Sequence, residues 1–169
     1  MSENIRRILS DNAEYAKEFG DKGKLGIVPA RKMAILTCMD SRIEPMRLAG
    51  LNTGDAHIIR NAGGRASEDA IRSLIVSNRL VGTKEWLVIH HTGCGIENMT
   101  NEKMAALANR ADTASEGDFI NWLTISDRIE SIRQDVKRLR EHPLTPPDVT
   151  VSGFIYDIET GLLTEVSCD

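Results

Sequence analysis

The sequence contains 169 residues, of which 41% are hydrophobic and 27% charged, and its formal net charge is −4. A chain of this size and composition can bury the core of an ordinary globular protein, so we expect residues 1–169 to form one domain. The acidic balance and the lack of a Lys/Arg block argue against nucleic-acid binding, and no apolar run approaches the roughly 20 residues of a membrane span. The polar N-terminus lacks the apolar segment of a signal peptide, which predicts a cytoplasmic protein.

The first predicted element is an amphipathic helix over residues 4–19. Its apolar residues recur at the spacing of one helix face: Ile5, Ile8, Leu9, Ala13, Ala16 and Phe19. Glycines at positions 20, 23 and 26 follow and break the pattern. A helix that stands ahead of the first strand either caps its own domain or reaches across to a partner subunit, and the sequence leaves both alternatives open.

Apolar runs and helical patterns alternate along the rest of the chain. The predicted strands cover residues 32–37, 55–60, 86–90, 149–157 and 162–166. The predicted helices cover residues 43–51, 67–80, 100–111 and 126–141, with a tight turn at 61–64 and a loop at 112–118. This order predicts an α/β fold, in which a mostly parallel β-sheet is flanked by helices and the last strand returns as a hairpin at one edge.

Two of these helices carry the clearest signals. Ser67 is a natural N-cap for the helix over residues 67–80, and Gly82 is a natural end for it. In the helix over residues 126–141, four apolar residues recur at helical spacing: Ile129, Ile132, Val136 and Leu139.

Residues that bind soft metal ions follow two of the predicted strands. Cys38 ends the first strand, and His91 and Cys94 follow the strand at 86–90. Because sites in parallel sheets form beyond the carboxyl ends of the strands, these three side chains should meet at one edge. Two thiolates and one imidazole suit zinc, and the lack of an evident fourth protein ligand is typical of a catalytic site. His90 should face away, since neighbouring strand residues point to opposite faces.

Each of these three residues has a simpler interpretation when it is taken alone. A buried cysteine behaves as a small hydrophobic residue, and a core histidine with satisfied hydrogen bonds needs no metal. The three together, beside Asp40 and Arg42, favour a metal centre. The third cysteine, Cys168, and the remaining histidines, His57 and His142, are expected to have no part in it.

Asp40 and Arg42 are predicted to assist the metal ion. Two thiolates and a neutral imidazole cancel the charge of Zn²⁺, so this ion acidifies a water less than an ion held by three imidazoles does. Asp40 either accepts a hydrogen bond from that water or occupies the open position itself. An extended backbone would place Arg42 on the same face, where it would hold Asp40 ionised.

The combined pattern resembles the β-class carbonic anhydrases from about residue 5 to residue 166. The matching segments are Cys38-x-Asp40-x-Arg42, Arg60-Asn61-Ala62-Gly63, His91-x-x-Cys94-Gly95 and Gly153-Phe154-x-Tyr156-Asp157. The resemblance implies a zinc lyase that interconverts CO₂ and bicarbonate by attack of zinc-bound hydroxide. The metal ligands would be Cys38, His91 and Cys94, and the catalytic residues Asp40 and Arg42. It also implies a homodimer or homotetramer in which the N-terminal helix packs on the partner subunit.

Two alternatives to carbonic anhydrase activity are open from the sequence. The compact branch of the family also contains hydrolases of carbonyl sulfide and of carbon disulfide with the same ligands, and Gly93 stands where many compact members have an acidic residue. CO₂, COS and CS₂ are all small, linear and weakly polar, so the shape of the pocket decides among them. The other alternative is a zinc-stabilised binding module without turnover, and the intact pair of Asp40 and Arg42 argues against it.

Overall fold

The computed structural model describes residues 1–109 and 116–168, and this part of the chain contains five strands and five α-helices. The strands are β1 (Met33–Cys38), β2 (Ala56–Asn61), β3 (Glu85–His91), β4 (Thr150–Tyr156) and β5 (Leu163–Val166). The helices are α1 (Glu3–Lys17), α2 (Pro45–Leu48), α3 (Glu68–Val81), α4 (Asn101–Ala108) and α5 (Arg128–Arg140). Short 3-10 helices lie at Gly20–Lys24, Ala62–Gly64 and Glu116–Phe119.

The strands form one mixed sheet in the order β2-β1-β3-β4-β5. The first four strands of this order are parallel to one another, and β5 runs antiparallel to β4 at the edge. The predicted α/β fold is therefore confirmed, including the hairpin return of the last strand. Because β1 and β3 are parallel neighbours, Cys38 and His91 both lie at the carboxyl edge of the sheet.

Helices α3 and α5 cover one face of the sheet. Their apolar side chains pack on the β1 and β3 residues that point to this face, among them Leu36, Trp86 and Val88. Of the four apolar residues at helical spacing in α5, Ile129 is 41% exposed and the other three are buried. Helical spacing identifies the apolar face of a helix, but it does not tell how far along the helix the neighbouring sheet extends.

The opposite face of the sheet is covered less completely. Ile35 and Ile89 are fully buried there, together with Leu51, but the residues around them are only partly buried: Met33, Ala56, Ile58, Leu87, Phe154, Tyr156 and Leu163. Helix α2 covers part of this face, and it has four residues instead of the nine predicted. A helix of four residues is about 6 Å long, so it leaves much of the sheet uncovered. We call this surface the half-covered sheet face.

Helix α1 has the predicted amphipathic pattern, and the Ser2 side chain caps it by accepting a hydrogen bond from the backbone N–H of Ile5. Within the described chain, none of its residues is buried. Its apolar side chains Ile8 and Leu9 are 64% and 55% exposed. The helix thus does not cap its own domain, and its packing on a partner subunit stays a prediction.

The segment between α4 and α5 differs from the sequence-based prediction. Glu116–Phe119 forms a 3-10 helix where a loop was expected, and the backbone N–H of Gly117 donates to Asn109 Oδ1. The rest of that loop and the end of the helix predicted over residues 100–111 lie outside the described residues. Among the helices that the structure does describe, none combines the length and the apolar character that a membrane crossing requires.

Gly64 packs against the backbone of β1 so closely that a side chain cannot fit. Its φ is +68°, and a Cβ placed on it would lie 2.8 Å from the carbonyl carbon of Thr37 and 2.9 Å from the backbone nitrogen of Cys38. Because both are strand atoms, β1 would have to shift. We expect Gly64→Ala to lower the free energy of unfolding by about 3 kcal/mol or more, measured by denaturant titration.

The matched control for this prediction is Gly50→Ala. Gly50 has a φ of +60°, and no atom of the described chain lies within 4 Å of a Cβ placed there. Gly50→Ala should therefore lower the free energy of unfolding only by the cost of a left-handed backbone conformation for alanine, about 1 kcal/mol. Equal losses for the two variants would contradict the close contact between Gly64 and β1.

Candidate metal centre

The three predicted ligands converge at the carboxyl edge of the sheet. Cys38 is the last residue of β1, His91 is the last residue of β3, and Cys94 lies in the turn that follows β3. One ligand atom from each residue lies within 4.8 Å of the other two, and all three residues are buried. The two sulfur atoms are 3.9 Å apart.

This arrangement fits a zinc ion in two independent respects. Two thiolates at about 2.3 Å from a tetrahedral ion are about 3.8 Å apart, which agrees with the separation of 3.9 Å between the Cys38 and Cys94 sulfurs. The Nδ1 atom of His91 lies 2.9 Å from the Thr92 carbonyl oxygen, so Nδ1 carries the proton and donates it. The lone pair is then on Nε2, which is buried and has no hydrogen-bond partner among the described residues. A metal ion at this position would satisfy it.

The surroundings of the two sulfurs favour negative charge. A hydrogen bond between the Cys94 and Cys38 sulfurs holds the pKa of Cys38 below its usual value although burial opposes this, and the backbone N–H groups of Asp40 and Gly63 add to the effect. The proton shared with Cys38 raises the pKa of Cys94, and burial raises it further. A cation bound between the two sulfurs would replace the proton of their hydrogen bond.

Asp40 lies beside the three ligands and is clamped by Arg42. Its Oδ2 accepts a hydrogen bond of 2.6 Å from Arg42 Nη2, and its Oδ1 accepts from Arg42 Nε at 2.9 Å and from the Arg42 backbone N–H at 3.0 Å. These bonds hold the pKa of Asp40 far below its usual value, and the side-chain hydrogen bonding to Arg42 contributes most. The Asp40 Oδ2 atom is 4.0 Å from Nε2 of His91. The carboxylate is thus ionised and lies next to the ligand group.

The pairing of Asp40 and Arg42 arises from a turn, so the predicted extended backbone is wrong. The backbone N–H of Ile43 donates to the Asp40 carbonyl at 3.1 Å, which closes a tight turn over these residues. An aspartate at the start of a turn commonly accepts a hydrogen bond from the backbone N–H two residues on. Arg42 Nη2 also donates to the Gly93 carbonyl at 3.0 Å, and so connects the turn after β1 with the turn that carries Cys94.

Sequence analysis missed the role of Arg60, although the motif that contains it was noticed. Arg60 Nε donates to the Cys38 carbonyl at 2.9 Å, and its Nη2 donates to the Asp40 carbonyl at 2.6 Å. These bonds fix the end of β1, from which Cys38 and Asp40 project. The signal in the sequence was an arginine at the end of the neighbouring strand, but its partners are backbone atoms that no local pattern reveals.

The remaining histidines lie outside the ligand group. His90 faces away from the centre, as predicted, and its Nε2 is 3.1 Å from Asp135 Oδ2. His57 Nδ1 is 2.8 Å from the Ser77 hydroxyl oxygen, and His142 Nδ1 accepts the backbone N–H of Leu144 at 3.2 Å. Each of these histidines therefore has a structural partner of its own.

Comparisons with known proteins agree with this arrangement. The family model described as carbonic anhydrase matches residues 33–163. Beta-carbonic anhydrase 1 of Mycobacterium tuberculosis is 38% identical over 161 residues, covering 94% of this chain and 95% of the relative. Carbon disulfide hydrolase of an Acidianus strain is 37% identical over 178 residues, covering 92% of this chain and 87% of the relative. The solved structure of a carbonic anhydrase from Glaciozyma antarctica superposes with a TM-score of 0.91 at 40% identity, covering 99% of this chain and 100% of the other.

Proposed function

Because this chain belongs to the β-carbonic anhydrase family, we propose that it is a zinc lyase that hydrates CO₂ reversibly to bicarbonate, with residues 1–169 as one catalytic domain. One observation supports the proposal above all: Cys38, His91 and Cys94 bring three ligand atoms within 4.8 Å of one another. The unpartnered Nε2 of buried His91 points to the same conclusion. Bound there, zinc supplies the acidification that makes water a nucleophile near neutral pH.

Asp40 helps to activate the water, which a zinc ion held by two thiolates does less well alone. The thiolates of Cys38 and Cys94 offset the charge of the ion, so the attacking water needs a second group that accepts its hydrogen bond. The side chain of Asp40 is 15% exposed, ionised and directed to the ligand group, which suits it for this role. Arg42 keeps the carboxylate ionised and fixes its direction with two side-chain hydrogen bonds.

The walls beside the ligands are apolar. Ile43 and Ile125 are buried in one cluster with Cys38 and Cys94, and three partly buried residues pack against them: Leu48, Ile96 and Tyr156. A small, linear and weakly polar molecule loses little hydration on entering such surroundings. The product bicarbonate is charged and would leave these apolar surroundings for water. This lining suits CO₂, and it suits COS and CS₂ equally well.

The alternative function is hydrolysis of carbonyl sulfide to CO₂ and H₂S, or, as the third choice, of carbon disulfide. The similarity to the Acidianus carbon disulfide hydrolase, at 37% identity, supports this alternative. It needs the same zinc ligands and the same pair of Asp40 and Arg42. A binding module without turnover would have no use for that pair, so we place it last.

Two assays on the purified zinc protein separate these functions. We expect rapid CO₂ hydration in stopped-flow measurements with a pH indicator, and little release of H₂S from COS or CS₂. Release of H₂S with negligible CO₂ hydration would replace our proposal by the hydrolase. A zinc-bound water is ionised by about pH 9. If the protein turned over none of the three compounds up to that pH, the binding module would be favoured.

The proposal includes assembly with further copies of the chain, as a homodimer or homotetramer. The apolar side of α1 is exposed, and the half-covered sheet face offers a second apolar surface. Exposed apolar surfaces are common at interfaces between subunits. Light scattering coupled to size exclusion should give the mass of two or four chains, and the mass of one chain would contradict the assembly. The cytoplasmic location stays a prediction.

Arg42 offers a direct test of the clamp on Asp40. Arg42→Ala removes both side-chain hydrogen bonds to the carboxylate and leaves the three metal ligands intact. We expect full zinc content and CO₂ hydration that is about tenfold slower or worse, because loss of a group that orients a reacting side chain typically has effects of this size. The measurements are metal analysis and stopped-flow turnover.

Arg47→Ala is the matched control for Arg42→Ala. Arg47 is exposed and pairs with Glu44 in the segment that follows the site, and no hydrogen bond within the described chain joins it to Asp40. This variant should turn over at the rate of the unmodified protein. If Arg42→Ala turned over as fast as Arg47→Ala, the pair of Asp40 and Arg42 would be an ordinary surface ion pair.

A further inference from the structure

A buried ion pair lies behind the metal centre and takes no part in the proposed reaction. Arg65 Nε donates to Asp135 Oδ2 at 2.7 Å, and Arg65 Nη2 donates to Asp135 Oδ1 at 3.3 Å. The two side chains are 7% and 4% exposed. Burying two charges is costly, and an apolar pair of similar volume often serves stability as well or better. The contacts of this pair therefore need an explanation beyond stability.

The pair holds the end of β3. Asp135 Oδ2, which accepts from Arg65, is also 3.1 Å from Nε2 of His90. His90 is fully buried and directly precedes the ligand His91. Neighbouring strand residues point to opposite faces, so fixing the ring of His90 fixes the backbone from which His91 projects toward the metal.

The pair also holds the turn that contacts Cys38. The Arg65 backbone N–H donates to Asn61 Oδ1 at 2.8 Å, and Asn61 Nδ2 donates back to the Arg65 carbonyl at 2.7 Å. Asn61 also holds the end of β1, because its carbonyl accepts the backbone N–H of Met39, the residue after Cys38, at 2.8 Å. The backbone next to Cys38 is thus connected to Arg65 through Asn61.

The third connection leads to Cys94. Arg65 Nη1 donates to the carbonyls of Leu123 and Thr124, both at 2.9 Å. Leu123 has a φ of +50°, a left-handed conformation that is unfavourable for leucine, so these bonds hold a strained backbone in place. The next residue, Ile125, packs in one cluster with Cys94 and donates its backbone N–H to the Ile96 carbonyl at 3.3 Å.

We propose that Arg65, together with Asp135, is a positioning residue for the metal centre, because its guanidinium fastens the segments beside His91 and Cys94 and its backbone is bonded to the turn beside Cys38. The inference rests on the proposed function in one respect, which is that these three residues bind zinc. Residues that hold metal ligands in this way keep the ligands in place before the metal ion binds, and they slow the dissociation of the ion. Their removal typically weakens metal binding 10–100-fold.

The test uses the zinc-loaded full-length protein and three variants of the pair. Arg65→Met removes the charge at similar volume, Arg65→Met/Asp135→Leu replaces the whole pair by apolar side chains, and Arg65→Lys keeps the charge but loses the planar fork. Zinc release to a chromogenic chelator and the visible absorption spectrum of the Co²⁺-substituted protein report on the ligand geometry. Thermal unfolding is measured alongside.

We expect zinc release that is about tenfold faster and an altered Co²⁺ spectrum in Arg65→Met and in the double variant, with a smaller effect in Arg65→Lys. Arg140→Met is the matched control, because the Arg140 guanidinium also binds backbone carbonyls, those of Val151 and Cys168, away from the ligand edge. It should lower thermal stability without changing zinc release or the spectrum.

The outcomes separate this inference from the function on which it rests. If the double variant is as stable as the unmodified protein and still releases zinc faster, the pair positions the ligands. If the folded variants release zinc at the unmodified rate, with an unchanged spectrum, the pair is merely structural and the inference fails. Should Arg65→Met not fold, the double variant and Arg65→Lys decide by the same two readouts. An unmodified protein that binds no zinc at these three residues would refute the proposed function instead.

Discussion

Replacement of Cys94 by serine should give a folded protein that no longer retains zinc and no longer hydrates CO₂. The residue supplies one of three protein ligands, and its sulfur lies 3.9 Å from that of Cys38, as a shared tetrahedral ion requires. Zinc sites with four ligands bind with roughly 10–16 kcal/mol, or about 3 kcal/mol a ligand, so the affinity should fall by about 100-fold or more. The same loss is expected for Cys38→Ser.

Metal analysis after dialysis and stopped-flow turnover measure this effect. Cys168→Ser is the matched control, since its partly buried thiol donates to the Val166 carbonyl and the residue does not belong to the ligand group. It should keep one zinc ion per chain and full activity. Full zinc content in Cys94→Ser or Cys38→Ser would refute the assignment of these cysteines as ligands.

The second large effect is expected at Asp40. Asp40→Ala removes the ionised carboxylate beside the ligands but none of the three ligand atoms, so zinc content should be normal. Turnover should fall by about 10²–10³, the loss typical when a preorganised hydrogen-bonding group beside the reacting atoms is removed. Asp40→Asn should lose nearly as much, because its neutral amide is a weaker hydrogen-bond acceptor than the carboxylate.

The control for Asp40 is Asp69→Ala. Asp69 also pairs with an arginine, Arg72, at close range, but it lies on the exposed surface of α3. Its removal should leave turnover unchanged. Turnover of Asp40→Ala within twofold of the unmodified protein would show that the water at this centre needs no help from a carboxylate, and the role assigned to Asp40 would have to be abandoned.

The sequence by itself determined the strand ends, the ligand types and the directions of the paired histidines. Apolar runs that stop at Cys38 and at His91 placed both residues at the carboxyl ends of parallel strands, and this placement is observed. Alternation along a strand separated His90 from His91, and the structure places His90 against Asp135. These features follow from short-range geometry, which a few consecutive residues encode.

Only the tertiary structure decided which residues surround those ligands. Asp40 and Arg42 pair as predicted, but they meet through a tight turn. The prediction had assumed an extended strand at this point. Arg60 was left without a role because its partners are the carbonyls at the end of β1. A backbone carbonyl has the same chemistry at every position, so no residue type marks it as a partner in advance.

The ion pair of Arg65 and Asp135 illustrates the same limit over a longer range. The two residues are 70 positions apart and meet because α5 packs on the sheet above the turn that follows β2. Neither residue shows a pattern of its own in the sequence. Such contacts depend on the order of strands and on helix packing, which are properties of the whole chain. The sequence thus specified the metal ligands, and tertiary packing specified the frame that holds them.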